Sequence, residues 1–214
     1  MKENDIGMKM KMVFQFIKQV YQETALLMQT IEGLMSPDFK CPFDATGVWG
    51  FSYRYDAGET WLIKSVSRYW EQKDNPLSAA LISIEFMPDL DWTDNKDVGP
   101  IATAMSLKLK QKVEKNNWPF WWRDDCGRNE KVFEVDSSNA PIYHSTLING
   151  VEKDGTEQLL HSIANFWLPL SALTDQAIVD KILVRPLKEL CTRNIQEVSL
   201  TQQESYLCLL ADET

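Results

Sequence analysis

The sequence predicts an α+β fold: a long N-terminal helix, an antiparallel meander-type β-sheet of about five to six strands, and C-terminal helices packing with the first helix. Three observations carry this expectation. Apolar residues recur at helical spacing through the first 35 positions, apolar and polar residues alternate through the middle of the chain, and helical spacing returns in the last third. The order lacks the strand–helix–strand alternation of a parallel nucleotide-binding sheet. A chain of 214 residues fits a single domain over 1–214, the alternative being a helix-plus-sheet unit at 1–150 and a helical subdomain at 151–214.

The first helix is expected from about Met8 to Met35. Val13, Phe16, Ile17, Val20, Thr24, Leu27, Ile31 and Leu34 form its main stripe, and Phe14, Tyr21, Met28 and Met35 add a flank at seven-residue intervals. At 100° per residue the two sets cover an arc of about 160°, with Lys11, Gln15, Lys18 and Gln22 opposite. Ser36-Pro37 ends it. So wide a face fits a helix clasped between a sheet and further helices. It equally fits one whose Phe14/Tyr21/Met28/Met35 flank serves a homodimer or another partner, where methionine and aromatics are favoured.

Val48–Asp56 alternates Trp49, Phe51, Tyr53 and Tyr55 with smaller or polar residues, and Ala57-Gly58-Glu59 turns it into Trp61–Glu71 as a hairpin. Asp74-Asn75-Pro76 is the next turn, and Ala79–Met87 the third strand, with Ile82, Ile84 and Phe86 on one face and Glu85 on the other. Ile101–Val113 alternates Met105, Leu107 and Leu109 with Ser106, Lys108 and Lys110 and reads as a strand guarded by lysines at a sheet edge. Short strands are expected at Lys131–Asp136 and Ile142–Asn149. Helices are expected at Thr156–Leu168, Leu173–Val184, Leu187–Arg193 and Leu200–Asp212, with Thr174-Asp175 capping the second and Pro186 interrupting before the third.

Composition narrows the function classes. With 22 Lys and Arg against 31 Asp and Glu, the formal charge of −9 disfavours nucleic acid and anionic membranes as partners and suits a basic or apolar protein. Cys41, Cys126, Cys191 and Cys208 form no C-x-x-C pair, so a disulfide framework or zinc knuckle is not expected. No apolar run approaches the ~20 residues of a membrane span, and no signal-peptide pattern is present. The cytoplasm is the expected compartment.

Four stretches carry candidate chemistry, each with a structural alternative. Asp89, Asp91, Asp94 and Asp97 gather carboxylates as a divalent cation requires, but without the glycine and final glutamate of an EF-hand loop; a solvated loop explains them equally. Glu71-Gln72-Lys73 matches the E-x-K half of a metal-dependent hydrolase or nuclease, with Asp56 or Glu85 as the second carboxylate; the alternative is a charged strand end. Trp118, Phe120, Trp121, Trp122 and Arg123 form an aromatic, basic loop suited to anchoring a protein partner or stacking on bases, or to capping a core. Cys126 and His144 supply the residue types of a thiol–imidazole dyad, in a chain with two histidines in all. No phosphate-cradling glycine motif occurs. The expected function is therefore a cytoplasmic protein-binding or adaptor protein of toxin-neutralising, chaperone-like or regulatory type. It has an acidic surface, aromatic anchors and no cofactor, and the metal-dependent hydrolase is the alternative.

Overall fold

In the computed structural model of the chain, residues 3–42, 46–50, 63–86, 99–113, 133–136, 143–147 and 160–192 are described. The first helix, α1, runs Glu3–Met35, beginning earlier than the apolar stripe requires because Asp5, Lys9 and Lys11 are as compatible with a helix as the residues that follow. It ends where Pro37 forbids continuation, and the Lys73 amino group secures the turn just past that end, donating to the carbonyls of Ser36 at 2.6 Å and Pro37 at 3.0 Å.

The strands are β1 (Phe39–Lys40), β2 (Thr46–Gly50), β3 (Ile63–Gln72), β4 (Ser78–Glu85), β5 (Ile101–Leu109), β6 (Phe133–Asp136), β7 (Tyr143–Leu147) and β8 (Leu160–Pro169). They form one antiparallel sheet in the order β1-β3-β4-β5-β8-β7-β6, with β2 also pairing β3. The hairpin of β2 with β3 and the β3-β4-β5 meander follow the sequence expectation. The helical reading of Thr156–Leu168 does not hold over β8, which is a strand paired with both β5 and β7. Its positions 162–166 are buried on both faces, so the run carries no period-2 polarity, and Leu160, Ile163, Phe166 and Trp167 fall at helical spacing by coincidence. The register shifts between Lys108 and Leu109 opposite this strand, leaving His161 as the extra residue of a bulge, exposed to solvent.

The same pairing corrects the lysine-guarded edge. β5 is central, Lys108 lies inside it, and Lys110 and Lys112 fall beyond its end at Leu109.

The C-terminal segment follows a 3-10 turn at Leu170–Ala172 and runs as α2 (Gln176–Val179), a π-turn (Asp180–Val184) and α3 (Arg185–Thr192). Asp175 caps it as expected, its carboxylate accepting from the Ile178 N–H at 3.0 Å. Pro186 does not break the helix. It sits in the first turn of α3, directly after the π-turn has already displaced the hydrogen-bond ladder by one residue, so its missing N–H is tolerated.

One apolar cluster joins Met28, Ile31 and Met35 of α1, Ile82, Ile84 and Phe166 of the sheet, and Ile182, Leu183, Leu187 and Leu190 of the C-terminal segment. Ala80, Ala102, Ala104 and Ala164 lie on this face of the sheet, and their small side chains let the helices approach closely. The opposite face carries a second cluster built on Tyr69, Leu81, Met105, Leu107 and Ile163. Among the described residues no helix is long and apolar enough to cross a membrane.

Candidate functional site

Helix α1 has 33 residues, about 50 Å at 1.5 Å per residue, and only its second half rests on the sheet. Thr24, Met28, Ile31 and Met35 are buried at the 4-3-4 spacing of a packed stripe. That stripe continues backwards through Ile17, Val13, Met10 and Ile6, but there it meets no sheet. Ile6, Met8, Met10, Met12, Val13, Phe14 and Phe16 are each between 46% and 67% exposed. At helical geometry Ile6, Met10, Val13 and Phe14 lie on one side of the arm and Met8 and Met12 on the other, with Phe16 between them next to Val13. Lys9, Lys11 and Lys18 are the charged residues between positions 6 and 22, so the arm is basic on a chain whose net charge is −9.

The four residues read from the sequence as a dimerisation flank divide accordingly. Met35 and Met28 are committed to the core at 0% and 6% exposure, Tyr21 packs edge-on against Phe86 with ring centroids 5.9 Å apart, and Phe14 faces solvent. Beside Tyr21 and the exposed Ala25, a recess of about 340 Å³ opens between α1 and β3, lined also by Met28, Gln29, Val66 and Arg68. The Arg68 guanidinium donates to the Glu32 carboxylate at 2.7 Å, while its Nε, buried, has no partner.

Two polar groups inside the fold carry residue types used in reactive centres. Glu71, on β3, is fully buried, and among the described residues neither carboxylate oxygen has a hydrogen-bond donor. Burial pushes its carboxyl above the usual range, against a weaker pull downward from Lys112 and Lys40, both of which extend into solvent. The second group is Lys108, whose amino group donates to the Cys191 carbonyl at 2.5 Å and to Ser78 Oγ at 3.0 Å. A Lys–Ser contact of this kind is used for nucleophilic catalysis elsewhere. Here, however, Ser78 donates to the same Cys191 carbonyl at 2.8 Å, Ser106 donates to the Leu190 carbonyl at 3.1 Å, and both serines are buried. These donors satisfy the last carbonyls of α3, and the positive charge lies at the negative end of the helix. Burial pushes the Cys191 thiol up to about 11, opposing reactivity.

Of the E-x-K constellation, Glu71, Lys73 and Glu85 lie among the described residues. Lys73 secures the turn after α1, and Glu85 stands opposite Ser65, six positions along β3 from Glu71 and so about 20 Å away. Glu85 instead accepts from Thr103 Oγ1 at 2.8 Å. Asp56 lies outside the described residues, as do Asp89, Asp91, Asp94 and Asp97, the loop residues Trp118, Phe120, Trp121, Trp122 and Arg123, and Cys126. His144 is in β7, in register with Ala164 and Asp136. Among the described residues no group of three or more His, Cys, Asp or Glu side chains is placed to hold a metal ion.

Within the α1 arm the sequence pointed to Phe14 alone as a partner residue, because the same apolar stripe serves both halves of the helix. Its first half carries Lys9, Lys11 and Lys18 against Glu3 and Asp5, and its second half Glu23 and Glu32 without a lysine or arginine. Comparison of the chain with protein-family models, with curated proteins and with solved structures finds no match, so the functional reading rests on this geometry alone.

Proposed function

We propose that the protein is a binding module that docks onto another protein surface through the first half of α1. The observation that carries this is the exposure of seven large apolar side chains on one helical arm. Phe14 and Phe16 alone leave on the order of 250 Å² of aromatic surface in water. At about 25 cal/mol/Å², covering it yields roughly 6 kcal/mol before the costs of association. With Ile6, Val13 and three methionines added, the patch exceeds what a typical monomer leaves uncovered. Methionine and phenylalanine side chains also suit a surface that must adapt to its partner.

A protein is a better match than a lipid surface. A bilayer covers one face of a helix lying on it, whereas this arm carries apolar residues on opposite sides. Its lysines and the acidity of the remaining chain favour a partner, or a part of one, that is acidic along the helix. Catalysis has less in its favour, because the half-buried Lys108 and the buried Ser78 cap the end of α3, and Glu85 lies about 20 Å along the sheet from Glu71. The test is a photo-cross-linking residue at Met12 in the native host. A discrete protein adduct is expected, and it is lost when Phe16→Asp is added. Absence of any adduct, or an adduct indifferent to Phe16→Asp, refutes the reading.

A further inference from the structure

We infer that the Phe14 flank of α1 is occupied by the same flank of a second copy of this chain, in an antiparallel two-fold pair. This rests on the reading of the arm as a docking surface and names the occupant of one of its sides. A closed two-fold interface must present projection and recess on the same surface, because each copy offers both to the other. At 100° per residue, Phe14, Tyr21, Ala25, Met28 and Glu32 share one flank of α1. Phe14 projects from it, 64% exposed, and the recess beside Ala25 and Met28 has room for an aromatic side chain.

Setting Phe14 of one copy over Ala25 of the other places the partner's Phe14 over the first copy's Ala25. The axis then crosses α1 between residues 19 and 20, and nearly the whole helix is paired. Charge selects the antiparallel direction. Residues 6–22 carry Lys9, Lys11 and Lys18 and no carboxylate, with Glu3 and Asp5 at the start of the helix, whereas residues 23–35 carry Glu23 and Glu32 and no lysine or arginine. Antiparallel pairing lays the basic half of each helix along the acidic half of its mate. Parallel pairing opposes like charges throughout. Glu32 remains 41% exposed at its side chain while bonded to Arg68, so it faces outward toward an approaching lysine.

The test is the oligomeric state of the full chain by sedimentation equilibrium, with Phe14→Asp and Ala25→Trp beside the wild type. Both sites are exposed, so far-UV circular dichroism and Tm are expected to be unchanged in the variants. The wild type is expected at twice the chain mass of 24.7 kDa, and each variant to dimerise at least tenfold more weakly. A Phe14→Cys/Ala25→Cys variant is expected to form intermolecular disulfides joining position 14 to position 25. A wild type that stays monomeric at high micromolar concentration overturns the inference, as does a dimer that both variants leave intact or disulfides that join 14 to 14. If the chain is monomeric but Met12 still cross-links to a different protein, the second-copy inference fails while the docking reading stands. If it is monomeric and Met12 gives no adduct, both fail.

Discussion

Replacing Glu71 by methionine is expected to stabilise the protein, and more so at alkaline than at acid pH. Glu71 lies in β3 with no exposed surface and, among the described residues, no donor to either oxygen, so folding strips it of water and returns nothing in exchange. A buried polar group left unsatisfied costs about 1–3 kcal/mol, and substituting an apolar side chain of similar shape removes that cost. Lys40, directly across from Glu71 on β1, and Lys112 attract the carboxylate, but both extend into solvent, where such attraction contributes little.

The pH dependence follows from the direction of the shift. The folded carboxyl titrates above its unfolded value, so well below the unfolded value both states are protonated and Glu71 carries no ionisation cost. As pH rises past the unfolded value, the unfolded chain releases the proton first. Stability is then lost at up to about 1.4 kcal/mol per pH unit until the folded group also ionises, and the loss persists at higher pH. Urea unfolding of wild type and Glu71→Met at pH 4 and pH 8 measures both components. The expected gain at pH 8 is about 1–3 kcal/mol, or roughly 2–12 °C in Tm for a chain of this size, with a smaller gain at pH 4. A variant less stable than wild type at pH 8, or a gain that does not grow with pH, refutes the argument and implies a stabilising role for the ionised group.

Two further outcomes test the account of the C-terminal segment. Lys108→Met is expected to destabilise by about 1.5–3 kcal/mol in thermal or urea unfolding, because it removes a charged donor from the Cys191 carbonyl at the end of α3; an unchanged midpoint refutes the capping role. Cys191, buried and with its thiol pushed up to about 11, is expected to resist alkylation at pH 8 in the native protein and to react on unfolding, whereas the partly exposed Cys41 reacts natively. Peptide mapping by mass spectrometry reads both, and native labelling of Cys191 contradicts its burial.

Much of the architecture was legible because local patterns and tertiary context agreed. The α1 stripe, the β2–β3 hairpin and the Thr174-Asp175 cap each expressed a preference that packing then satisfied. β8 was not legible. A strand buried on both faces loses its alternation, and only its hydrogen bonds to β5 and β7 distinguish it from a helix. Lys108 shows the same limit from the polar side. Its alternation with Leu107 and Leu109 implied an exposed face, yet α3 packs there, and its amino group finds the Cys191 carbonyl of α3 and Ser78 Oγ of β4 as acceptors.

A long apolar helix at the start of an α+β chain was legible from consecutive residues, because periodicity is a local property. Tertiary structure alone decided where the sheet ends beneath that helix. Burial depends on which distant strands arrive, and their arrival covers Met28 and Met35 while leaving Phe14 in water. It likewise set Glu71 apart from Glu85 and bound Lys73 to the turn after α1, since both outcomes follow from strand register and chain packing rather than from sequence spacing.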